Sequence, residues 1–546
     1  MHTIRLAAVA GALILAATAC VASPERGTGD ATPGGGGGTV TVATIQAWTG
    51  LNPHVPTQGE AIGLAIGNLI YPSAFAIGPD LGPALNTDLL VSAEVTSTEP
   101  QTVVYKIKPT AVWSDGTPIT AADFDYLWRH MSGKVPGAQT TGALGYDAIR
   151  SVTGGDGGKT VTVVFAKPFG EWRSLFTRIL PAHFMATRGA EPKAWNEGLI
   201  KAVPPTGGPF VIAEDRQGQL IRFARNPRWP GERARSDALV LRFVKEPQAV
   251  IQALAAGEVD IAALDPDQST LAQLRAVPSV TTELVASPTQ QFLGFQFGRR
   301  PASEPVVRQA VATALDLKAI TVKTLGVDGE RFSSVNHIYS AGSPGYTDNL
   351  AGRYGTGDAA AAAALLEGAG YTRGGDGYFA KGGKPLTVRH ALSSGGTMES
   401  QLAVLLQGQL KAAGIKLDVV TVPDSVYFDQ VLIPGNYDTI SFGYPGSAYP
   451  ISWYEALYTC KGGYNFQRFC DPGIDRMFAE ATKILDEDGS RAAANAIDAA
   501  LWKQLSLFPL FSLPELDAHS TRIQGYRTHP LFEWRLAGAA SWSGRS

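Results

Sequence analysis

Residues 103–128 read VVYKIKPTAVWSDGTPITAADFDYLW. The start alternates apolar and polar side chains, the period of a half-buried strand. Trp113-Ser114-Asp115-Gly116-Thr117-Pro118 then makes a turn built on Asp-Gly and closed by a proline. Thr120 follows as a helix N-cap. Its hydroxyl can accept an orphan backbone N–H, and Asp123 occupies the capping-box position three residues on. Phe124, Leu127 and Trp128 supply the apolar stripe of the helix so started.

Outward from this unit the chain keeps alternating strand and helix signals. Upstream, residues 39–45 alternate as a strand, 48–54 form a loop, and 60–70 are expected to be helical. Downstream, strands are expected at 160–165, 219–225 and 238–244. Residues 247–256 have helical spacing and stop at Gly257, a C′ glycine, before a strand from Val259. Further helices are expected at 305–314, after Asp358 as far as Gly368, and at 398–413 before Gly414. Two more are expected at 474–485 and 492–505. Strands are expected at 387–392 and 416–420, and residues 508–513 are expected to lead back to the first lobe. This is an α/β pattern, with no fixed internal repeat.

The 103–128 string closely resembles the signature of the extracytoplasmic solute-binding proteins of peptide and nickel ABC importers, known as family 5 or cluster C. The resemblance continues at Leu180-Pro181-Ala182-His183, Gly207-Gly208-Pro209-Phe210 and Arg225-Asn226-Pro227. It goes on at Gln252-Ala253-Leu254 with Gly257-Glu258-Val259-Asp260, at Val307-Arg308-Gln309-Ala310 with Ala314-Leu315-Asp316, from Asp358 to Gly370-Tyr371, and at Phe508-Pro509-Leu510. It implies an α/β, two-lobed periplasmic-binding-protein-like fold with a hinge and an extra subdomain in lobe one. Lobe one would take residues 39–290, with the extra subdomain at about 75–205, and lobe two 291–510. Residues 511–546 would return to lobe one. It also implies a non-enzymatic receptor that closes on a peptide or other medium-sized organic solute and docks on ABC permease subunits. A family-fold lipoprotein acting as scaffold or regulator in envelope biosynthesis is the alternative.

The first residues set the compartment. Arg5 precedes a short apolar run, and Ala17-Thr18-Ala19 leads into Cys20. The run is too short to span a bilayer, which needs about 20 residues. It reads as a signal peptide over 1–19. The cysteine after small residues resembles a lipobox, although leucine is commoner where Ala17 stands. Cys20 would then carry the lipid and hold the protein at the extracytoplasmic face of the membrane. Residues 20–38, rich in Gly, Pro, Ser and Thr, form a flexible tether. Net charge is −3 and charged residues make up 17%. No basic stripe suggests nucleic acid. The body, far larger than one ordinary core, needs at least two lobes. A monomer without cofactors is expected.

Three cysteines are present. Cys460 and Cys470, outside the cytoplasm, are expected to pair as a disulfide rather than stay as free thiols. A metal reading would need further ligands, and 455–485 holds no histidine. No His-Glu-x-x-His, Gly-x-Ser-x-Gly or Walker loop occurs. An extracellular hydrolase therefore lacks an assembled motif. His183 is expected to be structural, and His54 a surface or hydrogen-bonded side chain rather than a metal ligand. The acids at Asp265-Pro266-Asp267 and Asp486-Glu487-Asp488-Gly489 complete no calcium loop and are expected to be solvated turns.

Candidate ligand-binding residues follow from the resemblance: Trp48, Asn52, Tyr71, Phe442, Tyr444, Ser447, Tyr449 and Trp453, with Tyr454 beside them. They fall in loops similar to cleft-lining segments, where aromatic faces give rigid contact area. Each either faces the solute or packs a lobe. Peptide-binding members carry an aromatic-Asp pair, a tryptophan, and three residues later an aspartate that partners the peptide's α-ammonium. Counted from Tyr437-Asp438, Tyr444 stands at the tryptophan position and Ser447 at the aspartate position. No acid occurs between Thr439 and Tyr454. A buried ammonium without counter-charge is costly. Either an acid arrives from elsewhere or the ligand has no ammonium there.

Overall fold

A computed structural model of the chain describes residues 37–264 and 266–544. The signal segment, Cys20 and nearly all of the tether lie outside the described residues.

The stretch that decides the fold folds as its local signals require. The strand Gln101–Ile107 sits inside a four-stranded antiparallel sheet, between Leu90–Thr98 and Thr160–Phe165, with Ile149–Gly155 beyond. The Asp-Gly turn closes with Trp113 N donating to Thr117 O at 2.8 Å, and Gly116 takes a φ of +95°, a left-handed conformation suited to glycine. The helix Ala121–Met131 starts on the expected box. Thr120 Oγ1 accepts from Ala122 N at 3.3 Å, and Asp123 Oδ2 accepts from Thr120 N at 2.9 Å. The second Asp123 oxygen accepts from Ala182 N at 2.9 Å. The Leu-Pro-Ala-His turn is thereby tied to the helix start, and His183 Nε2 meets Asp115 Oδ2 at 2.8 Å. Trp113, Phe124 and Leu127 are fully buried, each stabilising by about 1.5–3 kcal/mol.

This sheet is the extra subdomain of the first lobe. The lobe's main sheet has seven strands, in the order Val280–Val285, Glu515–Ser520, Ile261–Leu264, Thr39–Thr44, Ala238–Phe243, Leu220–Arg225, Phe210–Arg216. Thr39–Thr44 runs parallel to both of its neighbours, with Val42 opposite Leu241 and Ile261. The remaining pairs are antiparallel. The second lobe is built on five strands, in the order Lys416–Val422, Thr387–Ser393, Thr439–Tyr444, Gln290–Phe295, Leu507–Ser512. The helices Pro305–Ala314 and Thr397–Ala412 pack in its core.

The chain passes between the two sheets twice, at 286–289 and at 513–514. The crossings are bonded to each other. Leu513 N donates to Thr289 O at 2.8 Å, and Ser287 Oγ donates to Leu513 O at 2.8 Å. Two short connecting segments joined this way form the hinge.

Two acids of the expected solvated turns, Asp267 and Asp486, are exposed and also start helices. Asp267 accepts from Ser269 N and Thr270 N at 2.9 and 3.0 Å and starts the helix Gln268–Arg275. Asp486 accepts from Gly489 N at 2.7 Å and starts the helix Glu487–Gln504. These solvent-exposed carboxylates also satisfy orphan N–H groups. Cys460 and Cys470 form a disulfide.

Candidate functional site

The strand Thr439–Tyr444 leads into a loop that passes over the first hinge crossing. Gly446 permits the approach, since a Cβ there would lie 2.2 Å from the Pro288 carbonyl oxygen. Ser447 Oγ accepts from Tyr449 N at 3.0 Å. The chain then enters the helix Pro450–Tyr458, with proline in its first turn. The first lobe approaches from the other side through residues 170–173, which follow the subdomain strand Thr160–Phe165. Gly170 N donates to Thr482 O at 2.7 Å, and a Cβ on Gly170 would meet Ile484 O at 2.0 Å. Both glycines are required by backbone-to-backbone contact.

Beside these contacts lies a cavity of about 230 Å³ between the lobes. The first lobe contributes Glu171, Arg173 and the hairpin tip 80–83. The second contributes Ser447, Tyr449, Tyr339 and Arg491, and Pro288 comes from the hinge.

The charges around it are unequally matched. Glu171 accepts from Ile451 N and from Ser452 N, each at 2.9 Å, and from Ser452 Oγ. Burial pushes its carboxyl above the ordinary range, the Ser452 and Ile451 donors pull it back, and the Glu455 charge raises it. Tyr449 Oη donates to Arg173 O at 2.7 Å. Burial and the Glu171 charge push the Tyr339 hydroxyl up to about 12. Arg491 is held by Glu487 and, at 3.4 Å, by Asp488. Asp80, exposed at the hairpin tip, accepts from Gly82 N at 3.0 Å. The Arg173 guanidinium lies 4.6 Å over the Trp172 ring and has no ion pair or side-chain hydrogen bond among the described residues.

Of the sequence candidates, Ser447 and Tyr449 line this cavity. Trp48, Asn52 and Tyr71 are instead buried inside the first lobe. Trp48 Nε1 donates to Asp215 at 3.0 Å, Asn52 Nδ2 to Trp195 O at 2.8 Å, and Tyr71 Oη to Leu51 O at 2.9 Å. Their polar atoms are engaged by the protein, so the structure does not bring them to the cavity. His54 is buried too, bonded through Nε2 to Arg178 O at 2.9 Å. Tyr444 is buried, with Gln467 Nε2 donating to its hydroxyl at 3.2 Å. Phe442 is half-buried and runs between Phe428 and Tyr444. Trp453 packs against Tyr464, ring centroids 5.5 Å apart and the planes tilted by 43°. Tyr454 lies in the second-lobe core.

Sequence reasoning did not single out Glu171, Arg173 or Asp80. Glu171 follows Phe169-Gly170 with no local motif, and its partners lie 280 and 281 residues away. Among the described residues no group of three or more His, Cys, Asp or Glu could hold a metal. No described helix is long and apolar enough to cross a membrane.

Comparison with known proteins decides the family. The model of bacterial extracellular solute-binding proteins, family 5 (middle region), matches residues 84–465. The chain belongs to family 5 of the extracellular solute-binding proteins. The oligopeptide-binding protein OppA of Mycobacterium tuberculosis is 32% identical over 456 residues, covering 81% of this chain and 74% of OppA. The probable monoacyl phosphatidylinositol tetramannoside-binding protein LpqW of the same species is 34% identical over 329 residues, 59% of this chain and 50% of LpqW. Among solved structures, the periplasmic EDTA-binding protein EppA superposes with a TM-score of 0.87 at 30% identity, covering 94% of this chain and 97% of EppA. Family members are extracytoplasmic binding proteins, not enzymes.

Proposed function

We propose that this protein is a lipid-anchored receptor that closes its lobes around a small organic solute and presents it to an ABC importer. The observation that carries the reading is the inter-lobe cavity, walled by Glu171 and Arg173 on one side and by Ser447 and Tyr449 on the other. Closure expels water and strengthens each polar contact enclosed. At about 230 Å³ the cavity is small beside the roughly 300–1,000 Å³ of pockets for drug-sized ligands. A headgroup of four sugars, as in the name given to LpqW, is larger than this space, which favours a smaller solute.

The charges favour a neutral or acidic solute. Ser447 offers an ammonium a hydroxyl and no counter-charge. Glu171 is engaged by the helix Pro450–Tyr458, and of the acids in the wall only Asp80, at an exposed tip, is neither helix-bound nor paired with a cation. Arg173, by contrast, is a cation with room for an acceptor. A carboxylate is its natural partner, since guanidinium binds carboxylate through paired N–H donors. Native mass spectrometry of protein purified from its own host, followed by calorimetry with the co-purified compound, tests the reading. Co-purification of a carboxylic acid that binds again supports it. Tight binding only of cationic amines, or binding unaffected by changes at Ser447 and Arg173, overturns it.

A further inference from the structure

Three hydrogen bonds from the helix Pro450–Tyr458 end on one carboxylate of the opposite lobe. Ile451 N and Ser452 N reach Glu171 Oε1 and Oε2, each at 2.9 Å, and Ser452 Oγ also donates to Oε2. A helix N-terminus carries partial positive charge and unsatisfied N–H groups. Such groups are normally capped by the residue just before the helix. That residue is Tyr449, whose side chain makes no cap bond and instead reaches across to Arg173 O at 2.7 Å. The second lobe's helix is thus capped by the first lobe. The N-cap side chain itself supplies no such bond.

We propose that Glu171 is the closing latch of this receptor: a carboxylate that caps the Pro450–Tyr458 helix across the lobe boundary and so sets the balance between open and closed forms.

The neighbouring contacts belong to the same device. Gly170 N bonds Thr482 O at 2.7 Å, placing the latch residue against the second-lobe backbone. Leu81, at the first-lobe hairpin tip, packs with Ala448 and Tyr449 of the second lobe on the cluster of Ile77, Leu531 and Trp534. Of these contacts, the Glu171 bonds carry a formal charge. Charge-assisted hydrogen bonds are about twice as strong as neutral ones. Their loss on opening is incomplete, because water solvates both the carboxylate and the helix end. The latch therefore biases closure without locking it. Glu171 acts on affinity by setting how often the closed form is present, so it is a positioning residue, whether or not it touches the solute. The proposal rests on the reading of the adjoining cavity as the solute site, but its first readout needs no solute.

The test is a distance measurement between the lobes of the full chain. Val91 in the subdomain and Val404 on the second-lobe helix Thr397–Ala412 are exposed at 62% and 69%, and cysteines there accept spin labels. Pulsed electron–electron resonance is recorded without added solute for the labelled parent, for Glu171→Gln and for Glu171→Ala, with melting curves to confirm folding. The glutamine variant keeps the shape and one acceptor oxygen. The expected result is a short-distance population in the parent, reduced in both folded variants, with the closed-to-open ratio falling roughly ten- to a hundred-fold in Glu171→Ala. Unchanged distance distributions in the variants, or no short-distance population in the parent, overturn the latch. The solute reading is judged separately. Distances that shift while no solute ever binds leave the latch standing and remove the solute reading. Solute binding with no shift does the reverse.

Discussion

Replacing Arg173 by methionine isolates the charge at the proposed site. Methionine keeps an unbranched apolar stem over Trp172 and removes the guanidinium. Two unit charges 4 Å apart attract by about 4 kcal/mol at an effective dielectric constant near 20. Part of this is offset by stripping water from the solute carboxylate. Arg173 has no competing ion pair among the described residues, so a bound carboxylate breaks no existing pair. The net loss is then about 2–4 kcal/mol, within the range for truncating one partner of an enclosed charge pair. That is roughly 30- to 1,000-fold in Kd. Calorimetry at low ionic strength, where screening is weakest, measures it with N-acetyl dipeptides offered as free acids and as C-terminal amides. The parent should prefer the acid by that factor. Arg173→Met should lose the preference by weakening the acid while leaving the amide nearly unchanged. An amide that binds the parent as tightly as the acid, or a variant that keeps the preference, refutes the reasoning.

Ser447→Asp should tighten binding of short peptides with a free N-terminus at least tens-fold, because it adds an enclosed counter-charge worth about 2–5 kcal/mol; no gain by calorimetry would mean that another acid, such as Asp80, already serves. Burial holds His54 down at about 3 and His390 at about 4, against the usual 6.5, so both are neutral in the folded protein. The unfolded chain takes up protons as pH drops through about 6.5 while the folded one does not, so stability is intact above that pH and falls below it, by about 2 kcal/mol per histidine at pH 5. His390→Gln should therefore lose less melting temperature between pH 7 and 5 than the parent, and equal losses would refute this. Cys20→Ala should move the protein from the membrane to the soluble fraction of its host, and a parent already soluble would remove the lipid anchor from the proposal.

What the sequence could announce depended on the range of the interaction. Thr120 with Asp123, Asp358, Gly257 and Gly414 mark helix ends through contacts within a few residues, and each does so in the structure. Asp358 accepts from Ala361 N at 2.8 Å, and Gly257 and Gly414 take φ of +72° and +77°. At two helices the boundary differs from the expected one. Asp471 caps a helix starting at Pro472 rather than 474, and Asp486 opens its helix five residues before the expected 492. Both carry the same acid-before-helix signal as Asp358. The candidate site is another matter. Asn52 and Tyr71 have the polar and aromatic character of cleft residues, but Asn52 is committed to Trp195, 143 residues away. Glu171 gains its role from partners 280 and 281 residues on. Arg173 is notable for having no ion pair among the described residues, and no local pattern records an absence.

The latch and the unpaired arginine, as proposed, pull closure in opposite directions. Glu171 gains hydrogen bonds when the lobes meet. Arg173 is drawn into a narrower, less watery space with no counter-charge of its own, and that costs free energy. A receptor needs such opposition. If the latch alone closed the protein, an empty receptor would look the same to a permease as a loaded one. If nothing favoured closing, the solute would have to supply the whole differential, about 5.5 kcal/mol to move the population from 1:99 to 99:1. A carboxylate on Arg173 provides about 2–4 kcal/mol and at the same time removes the charge that resisted closure. The latch lowers the remainder, and contacts with Tyr449 and its neighbours can meet it. Affinity and discrimination then reside in different residues. Changes at Glu171 should weaken all solutes by a common factor, whereas changes at Arg173 should reorder them.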